Sequence, residues 1–404
     1  MSQVLEPTGD AGKTYTLASW LPTLRVSGKA RPQTTWAEDA VTAFLGAYTL
    51  VALFWDGLRH NNLTGVDEFW SAPHIAMYLG LTGLGVWIAI ILLRYQKGLD
   101  ELDWSAVPRG YALAFAALPL AAVAGPADFI WHEAYGFENQ IDSTFSPPHQ
   151  GLFYAGAMLA AIPTASAWQR RATAPSLREF LPTVFSLTSV VAAMLFVVHQ
   201  IVPFYGGGVV ATEGFQDDIA GRADAFSPGA DAEHVEGLSR ALTNYGDQAF
   251  PYYFFSTHTA VAGILLYTIA MMGMILLMRR RWRIPPGSLT VSFTFLALLW
   301  PMLSEYREAG LIPALVLAGV IGDLLLARFS RRIRLFALLL PPALWALFFL
   351  CVELFQDGLG WEPTLWVGLL VTTAGLGYAM SLLVFPPYSG PATEQVPNSV
   401  ETGA

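Results

Sequence analysis

The sequence contains very little cysteine and little charge, and both shortages restrict what the protein can be. The single cysteine, Cys351, excludes an intramolecular disulfide framework and any cysteine-rich zinc or iron–sulfur motif. Only 13% of the residues are charged and 54% are hydrophobic, whereas a soluble domain usually carries about 25% charged residues. The composition therefore indicates a membrane protein.

The basic residues do not suggest a nucleic-acid-binding surface. The net charge is −9, and Lys and Arg occur in short clusters beside apolar runs. Such clusters are typical of the loops of membrane proteins. We therefore expect the lipid bilayer, and not nucleic acid, to be the partner of this chain.

Apolar runs recur along the chain, and each is close to the length of about 20 residues that a helix needs to cross the hydrocarbon core. They predict an all-α polytopic membrane protein with about ten transmembrane helices. The predicted spans are 39–59, 74–94, 110–131, 149–168, 180–202, 254–278, 287–304, 309–327, 334–355 and 364–386.

The distribution of Lys and Arg predicts the orientation of these spans. Eighteen of the 22 basic residues lie in the N-terminal segment and in alternate loops. The exceptions are Arg59, Arg222, Arg240 and Arg307. Because cytoplasmic loops carry the excess of basic residues, both termini are predicted to be cytoplasmic. The loops 60–74, 132–149 and 203–253 would then face the outside of the plasma membrane.

One motif of acidic and histidine residues occurs twice near the outer ends of the first four spans. In the first copy, Asp56 and His60 are four residues apart and are followed by Trp-Ser-Ala-Pro-His74. The second copy repeats this order in Asp128, His132 and His149. Residues i and i+4 share a helix face, and a Ser N-cap followed by proline places the last histidine in the first turn of the returning helix. Each copy therefore brings one carboxylate and two imidazoles together.

These two trios predict two neighbouring metal sites, because ionisable residues in membrane spans are rare and functional by default. Two imidazoles and a carboxylate suit copper, iron, zinc or nickel, and three ligands leave one position open. A candidate third site, without an acid, contains His199 and His258. The acids expected to orient the metal-ligating imidazoles are Asp67, Glu68, Glu133 and Asp142.

These assignments divide the chain into four parts. A cytoplasmic segment, 1–38, precedes a six-helix metal-binding domain, 39–280, which consists of three helical hairpins of shared ancestry and carries the outer loop 203–253. Residues 281–386 contain no histidine and are predicted to form a four-helix scaffold. Residues 387–404 are predicted to be a disordered cytoplasmic tail.

At these motifs, the sequence resembles the C subunit of the copper membrane monooxygenases, the family that oxidises methane, ammonia or short hydrocarbons. The segment Asp142-Ser-Thr-Phe-Ser-Pro-Pro-His149 is similar to the family's Asp-Thr-Asp-Phe-Thr-Pro-Ser-His, and Phe69-Trp-Ser-Ala-Pro-His74 is similar to its second, Ser-Ala-Pro-containing segment. This chain differs in having Asp56 where the family has Asn, and in the order of its two site types.

The resemblance covers residues 40–165. It implies copper at both predicted sites, O2-dependent hydroxylation of a hydrocarbon reached through the bilayer, and other membrane monooxygenase-type subunits as partners. A homo-oligomer is the second assembly that we consider.

The residues themselves leave three other functions open. A zinc-dependent intramembrane hydrolase would use two His and one Asp as ligands and a metal-bound water as nucleophile. A metal transporter would need polar residues across the bilayer midplane. A haem protein would use pairs of histidines and would give the acids no role.

Overall fold

The computed structural model describes residues 23–62, 69–98, 101–136, 144–205, 249–356 and 358–386. Several predicted features lie outside these described residues. They are Asp67, Glu68, Asp142, most of the loop 203–253, and the tail 387–404.

The described part of the chain is helical, as predicted from the apolar runs. Its α-helices are α1 (Trp36–Asn62), α2 (Ala72–Arg94), α3 (Ala114–Tyr135), α4 (Pro147–Ala160), α5 (Ile162–Trp168), α6 (Leu177–Phe196), α7 (Ala249–Arg281), α8 (Ser288–Leu299), α9 (Ile312–Arg328), α10 (Ile333–Phe355) and α11 (Pro363–Val384). Short 3-10 turns cover Trp104–Ala106, Tyr111–Leu113, His199–Ile201, Trp300–Ser304 and Ala309–Leu311. The only strands in these ranges are β1 (Thr23–Arg25) and β2 (Glu101–Asp103), which pair in parallel.

Eight helices in the described ranges are long and apolar enough to cross a membrane, against the ten spans predicted. The predicted span 149–168 is divided between α4 and α5, because Pro163 has no N–H to donate to the carbonyl of Leu159. The predicted span 287–304 consists of the 12 residues of α8 and a 3-10 turn that contains Pro301. Proline thus shortens two helices whose hydrophobicity alone suggested full spans.

The apolar core joins the first helix to helices near the end of the chain. Phe54 of α1 contacts Phe196 of α6 and Trp300, with ring centroids 5.0 and 5.1 Å apart. The same core continues through Tyr267 of α7 to Trp345 of α10. A smaller buried cluster lies among α2, α3 and α4. Helix α1 therefore lies against both groups of helices, and its position controls where its polar residues meet those of α2 and α3.

A buried ionic network fixes the N-terminal end of α1. Asp39 accepts hydrogen bonds from Thr34, Tyr111 and Ser166 at 2.9, 3.1 and 2.9 Å, and it pairs with Arg170. A buried carboxylate needs such partners to offset its loss of hydration. The network ties α1 to the residues that follow α5, at the end of the bundle opposite to Asp56 and His60.

Asp323 of α9 stabilises the beginning of α8. Its carboxylate accepts hydrogen bonds from the backbone N–H groups of Leu289 and Thr290 at 3.2 and 2.9 Å, and from the Thr290 hydroxyl at 2.7 Å. The first N–H groups of a helix have no partner within it, and a negative charge there is favourable. This acid therefore acts as a cap supplied by a neighbouring helix.

Candidate metal centre

The ends of four helices bring the six predicted ligands into one place. Asp56 and His60 lie one turn apart near the end of α1, and Asp128 and His132 lie one turn apart near the end of α3. Ser71 and Ser146 occupy the N-cap positions of α2 and α4, as predicted, although neither side chain makes a capping hydrogen bond. The prolines in these first turns lack an N–H that would have no partner within the helix. The turns before α2 and α4 thus place His74 and His149 at the beginnings of these two helices.

All six side chains are buried together. Asp56, His60, His74, Asp128, His132 and His149 each expose 7% or less of their surface. Such burial of two carboxylates and four imidazoles would be costly unless the groups were paired or coordinated to an ion. The cluster is therefore the principal candidate for a metal centre in this protein.

The first predicted trio forms one compact group. Asp56 Oδ1 lies 3.3 Å from Nδ1 of His74, and its Oδ2 lies 3.6 Å from Nε2 of His60. One ligand atom from each of the three residues lies within 4.8 Å of the others, so the group could hold a metal ion.

The second group differs from the predicted trio in one member. His74, and not His149, completes the compact group with Asp128 and His132. Asp128 Oδ2 lies 3.4 Å from Nε2 of His74, and its Oδ1 lies 3.5 Å from Nε2 of His132. His149 is nevertheless adjacent, because its Nε2 lies 2.9 Å from the same Oδ1. The two predicted sites are thus one continuous cluster that shares His74.

Most of these distances fit metal ligands better than hydrogen bonds. An N–H···O hydrogen bond is usually about 2.7–3.2 Å long, whereas ligand atoms about 2.0–2.1 Å from one tetrahedral ion are about 3.3–3.4 Å apart. Four of the five His–Asp distances lie between 3.3 and 3.6 Å. The fifth distance, 2.9 Å between Nε2 of His149 and Oδ1 of Asp128, is that of a hydrogen bond. The residues present therefore fit a bound ion.

The orientation of the His132 ring supports this interpretation. Its Nδ1 lies 3.3 Å from the carbonyl oxygen of Gly136, and a carbonyl can only accept, so Nδ1 carries the proton. The lone pair of Nε2 then faces Asp128. A hydrogen bond from the remote ring nitrogen is the usual means of fixing a metal-ligating histidine.

Two residues not predicted as part of the site complete its surroundings. The Tyr78 hydroxyl donates a 2.6 Å hydrogen bond to Asp128 Oδ2, and its ring stacks on His74. Phe69 covers the cluster, with ring centroids 4.7 Å from His74 and 5.9 Å from His132. Sequence spacing could have revealed Tyr78, which lies four residues after His74 and hence on the same helix face.

Glu133, predicted to orient an imidazole, lies exposed on α3. It makes no hydrogen bond or ion pair to the described histidines. The side chain at this position points away from the cluster because it follows His132 by one residue on the helix.

The candidate third pair, His199 and His258, belongs to neither of the two compact groups of Asp and His found among the described residues. His199 is fully buried, and its Nδ1–H donates to the Phe196 carbonyl at 2.8 Å. Its Nε2 therefore accepts from the Asn61 amide at 2.9 Å. Burial lowers the pKa of His199, which lies beyond the end of the span in α6, to about 4. This imidazole is neutral at physiological pH, while His258 is exposed on α7.

A largely apolar cavity that opens to the surface extends from the cluster between α1, α2, α4 and α6. Asp56, His60 and His149 line its polar end, whereas the rest is lined mainly by apolar side chains such as Leu50 and Leu84. Along α1 the lining runs from Asp56 to Gly46, which corresponds to about 15 Å of helix. The arrangement could hold an elongated apolar molecule with one end beside the cluster.

No protein-family model, curated protein or solved structure matches this chain. The interpretation of the centre therefore depends on its own residues. They define buried Asp/His groups that could bind a metal in a helical protein suited to a membrane.

Proposed function

We propose that this protein is a multi-pass plasma-membrane metalloprotein whose centre faces the outside, binds copper and oxidises an apolar molecule with O2. The observation that carries the proposal is the buried cluster of two Asp and four His at the polar end of an apolar cavity. The resemblance of its two loops to the C subunit of the copper membrane monooxygenases favours copper and oxygen chemistry.

The ligand set supports a transition metal. Imidazole nitrogens together with carboxylate oxygens suit copper, iron and zinc, whereas magnesium and calcium prefer oxygen ligands throughout. Each compact group supplies three donors, one fewer than a four-coordinate ion needs, so a bound ion could retain an open position. When bound, copper would supply the means to activate O2.

The protein's own residues would bind the substrate and exclude water. The aliphatic walls of the cavity stabilise an apolar molecule by removing its surface from water. Phe69 and Tyr78 cover the cluster on another side. A dry site strengthens the electrostatic interactions of Asp56 and Asp128 with a bound cation.

A second candidate is a zinc-dependent hydrolase that acts on lipids. The length of the cavity favours it, because a slot of about 15 Å along α1 would also accept part of an acyl chain. Zinc with an open position activates water as a nucleophile. Zinc in the purified protein, together with cleavage of a lipid amide or ester, would support this candidate over the oxidase.

Ion transport and haem binding fit the site less well. The cavity beside the cluster is walled mainly by apolar side chains such as Leu50, Leu53 and Leu81, and it offers few ligands for the passage of an ion. Asp128 lies between the imidazoles of His132 and His149, where a bis-histidine haem would require its porphyrin.

Metal analysis of the detergent-purified protein tests the proposal. We expect the wild type to contain copper by elemental analysis, whereas electron paramagnetic resonance (EPR) of the oxidised protein detects only those Cu(II) ions that are not coupled to another. His60→Ala and His132→Ala each remove one ligand from a different part of the cluster, so both should lower the copper content.

His258→Ala is the matched control, because this exposed histidine lies on α7 and outside both ligand groups. Its copper content should equal that of the wild type. Unchanged metal in His60→Ala and in His132→Ala would refute a metal centre at the cluster, provided that both variants elute as folded protein.

A further inference from the structure

We propose that His74 is a bridging ligand, and that its two ring nitrogens bind two different metal ions as an imidazolate. This inference rests on the proposed metal centre and specifies its organisation. The centre would then hold two metal ions joined by one histidine, and not two independent metal sites.

The two nitrogens of His74 face two separate carboxylates. Nδ1 lies 3.3 Å from Asp56 Oδ1, and Nε2 lies 3.4 Å from Asp128 Oδ2. These nitrogens lie on different edges of the ring, so their lone pairs diverge. A single ion could not accept both of them, whereas one ion on each side could.

Each side of the ring supplies further ligands of the right kind. Beside Nδ1, Asp56 is accompanied by His60 at 3.6 Å. Beside Nε2, Asp128 is accompanied by His132 at 3.5 Å and by His149 at 2.9 Å. The two compact groups overlap only in His74. One ion would therefore have three protein ligands, and the other would have three or four.

The surroundings of His74 hold the ring in the bridging position. The ring is 1% exposed, with Phe69 at 4.7 Å and Tyr78 stacked at 5.3 Å between centroids. The preceding Pro73 restricts the backbone in the first turn of α2. Phe69 and Tyr78 also contact each other, with centroids 5.7 Å apart, so they pack against His74 from one side and leave the buried ring little room to turn away from either carboxylate.

Bridging requires the loss of one proton. A neutral imidazole has one lone pair and one N–H, so binding of the second divalent ion displaces the N–H proton, which leaves to the solvent. No electron is transferred in this step. Two divalent ions beside two carboxylates would leave two excess positive charges in a buried site, and the imidazolate reduces them to one.

The test compares copper content with the number of visible unpaired spins after loading the full-length protein in detergent with Cu(II). Two Cu(II) ions joined by an imidazolate couple antiferromagnetically. We expect wild type to bind two copper ions per chain and to show, at low temperature, far fewer spins than copper ions.

Two variants test whether the magnetic coupling between the Cu(II) ions passes through His74. His74→Ala removes the bridge, so every copper ion that it retains should give a full EPR signal. His60→Ala weakens only the Asp56 side, so it should retain one copper ion with a full signal. Circular dichroism and gel filtration check that both variants are folded, and the wild-type measurement does not depend on them.

Three results would overturn the bridge while leaving the metal centre intact. They are a single copper ion in wild type, two copper ions with a full EPR signal, and coupling that persists in His74→Ala. Absence of any bound metal in wild type would instead refute the proposed function.

Discussion

Tyr78 links the two carboxylates of the cluster through the residue between them. Its hydroxyl donates to Asp128, its ring stacks on His74, and His74 in turn faces Asp56. Hydrogen bonds to a ligating carboxylate fix its orientation and raise metal affinity, and losing such a partner typically weakens binding about ten- to a hundredfold.

Tyr78→Phe should therefore retain the metal ions but bind them about ten- to a hundredfold more weakly. Phenylalanine preserves the ring that packs on His74 and removes only the hydrogen bond to Asp128. Competition with a chelator of known affinity measures the change. Tyr154→Phe is the control, because Tyr154 lies on α4 with 51% of its surface exposed. Equal affinities in the two variants would show that the Tyr78 hydroxyl does not support the site.

The sequence allowed each member of the Asp/His cluster to be predicted, but not how the members are grouped. Spacing of four residues and a capped proline turn determine which side chains meet within a hairpin, and Asp56, His60 and His74 do so. How the second hairpin rests on the first depends on contacts between helices, such as Phe69 with Phe129 at 5.0 Å. Those contacts have no local pattern in the sequence, so the role of His74 in both groups could not be predicted.

At the scale of elements, close backbone packing positions the turn that carries His199. The 3-10 turn His199–Ile201 lies against α7 at Gly263. A Cβ atom at Gly263 would lie 1.7 Å from the carbonyl oxygen of Ile201. Only glycine at this position allows the 3-10 turn to pack so closely against α7. The 3-10 turn holds His199 beside Asn61.

Gly263→Ala should therefore destabilise the protein, by about 1–3 kcal/mol or more, because backbone must move to relieve the overlap. Thermal unfolding in detergent, followed by circular dichroism, measures the loss. Gly273→Ala on the same helix is the control, since the nearest atom to its added Cβ would be Met380 Cε at 3.7 Å. Alanine there should be neutral or stabilising by up to about 1 kcal/mol. A Gly263→Ala protein as stable as Gly273→Ala would contradict the close approach.

The helices themselves were largely predictable, and the errors have identifiable causes. Each of the ten predicted apolar runs coincides with helix in the described part of the chain, because a continuous apolar run can be read directly from the sequence. They could not distinguish a full span from a helix interrupted by proline, as at Pro163 and Pro301. Prolines at 119 and 126 lie within α3 without ending it, so proline by itself does not decide where a membrane helix breaks.

At the scale of the whole molecule, the polar groups are separated between two ends of the bundle. The Asp/His cluster lies at one end of α1, and the Asp39–Arg170 network lies at the other. Arg281 donates to the carbonyl of Trp168, and Arg279 donates to that of Ser330, at this second end. Basic residues therefore collect where the sequence predicts the cytoplasmic face, away from the cluster.

This separation gives a direct test of the predicted orientation by cysteine labelling in intact cells. In a Cys351→Ala background, Tyr135→Cys places a thiol at an exposed position three residues after His132, and Ser330→Cys places one at the basic end. A membrane-impermeant maleimide should label Tyr135→Cys from outside, because the cluster is predicted to face outward. It should label Ser330→Cys only after the cells are permeabilised, since α9 and α10 are predicted to meet on the cytoplasmic side. The reverse pattern would place the metal centre on the cytoplasmic face, where it would exchange ions with the cytosol and not with the exterior.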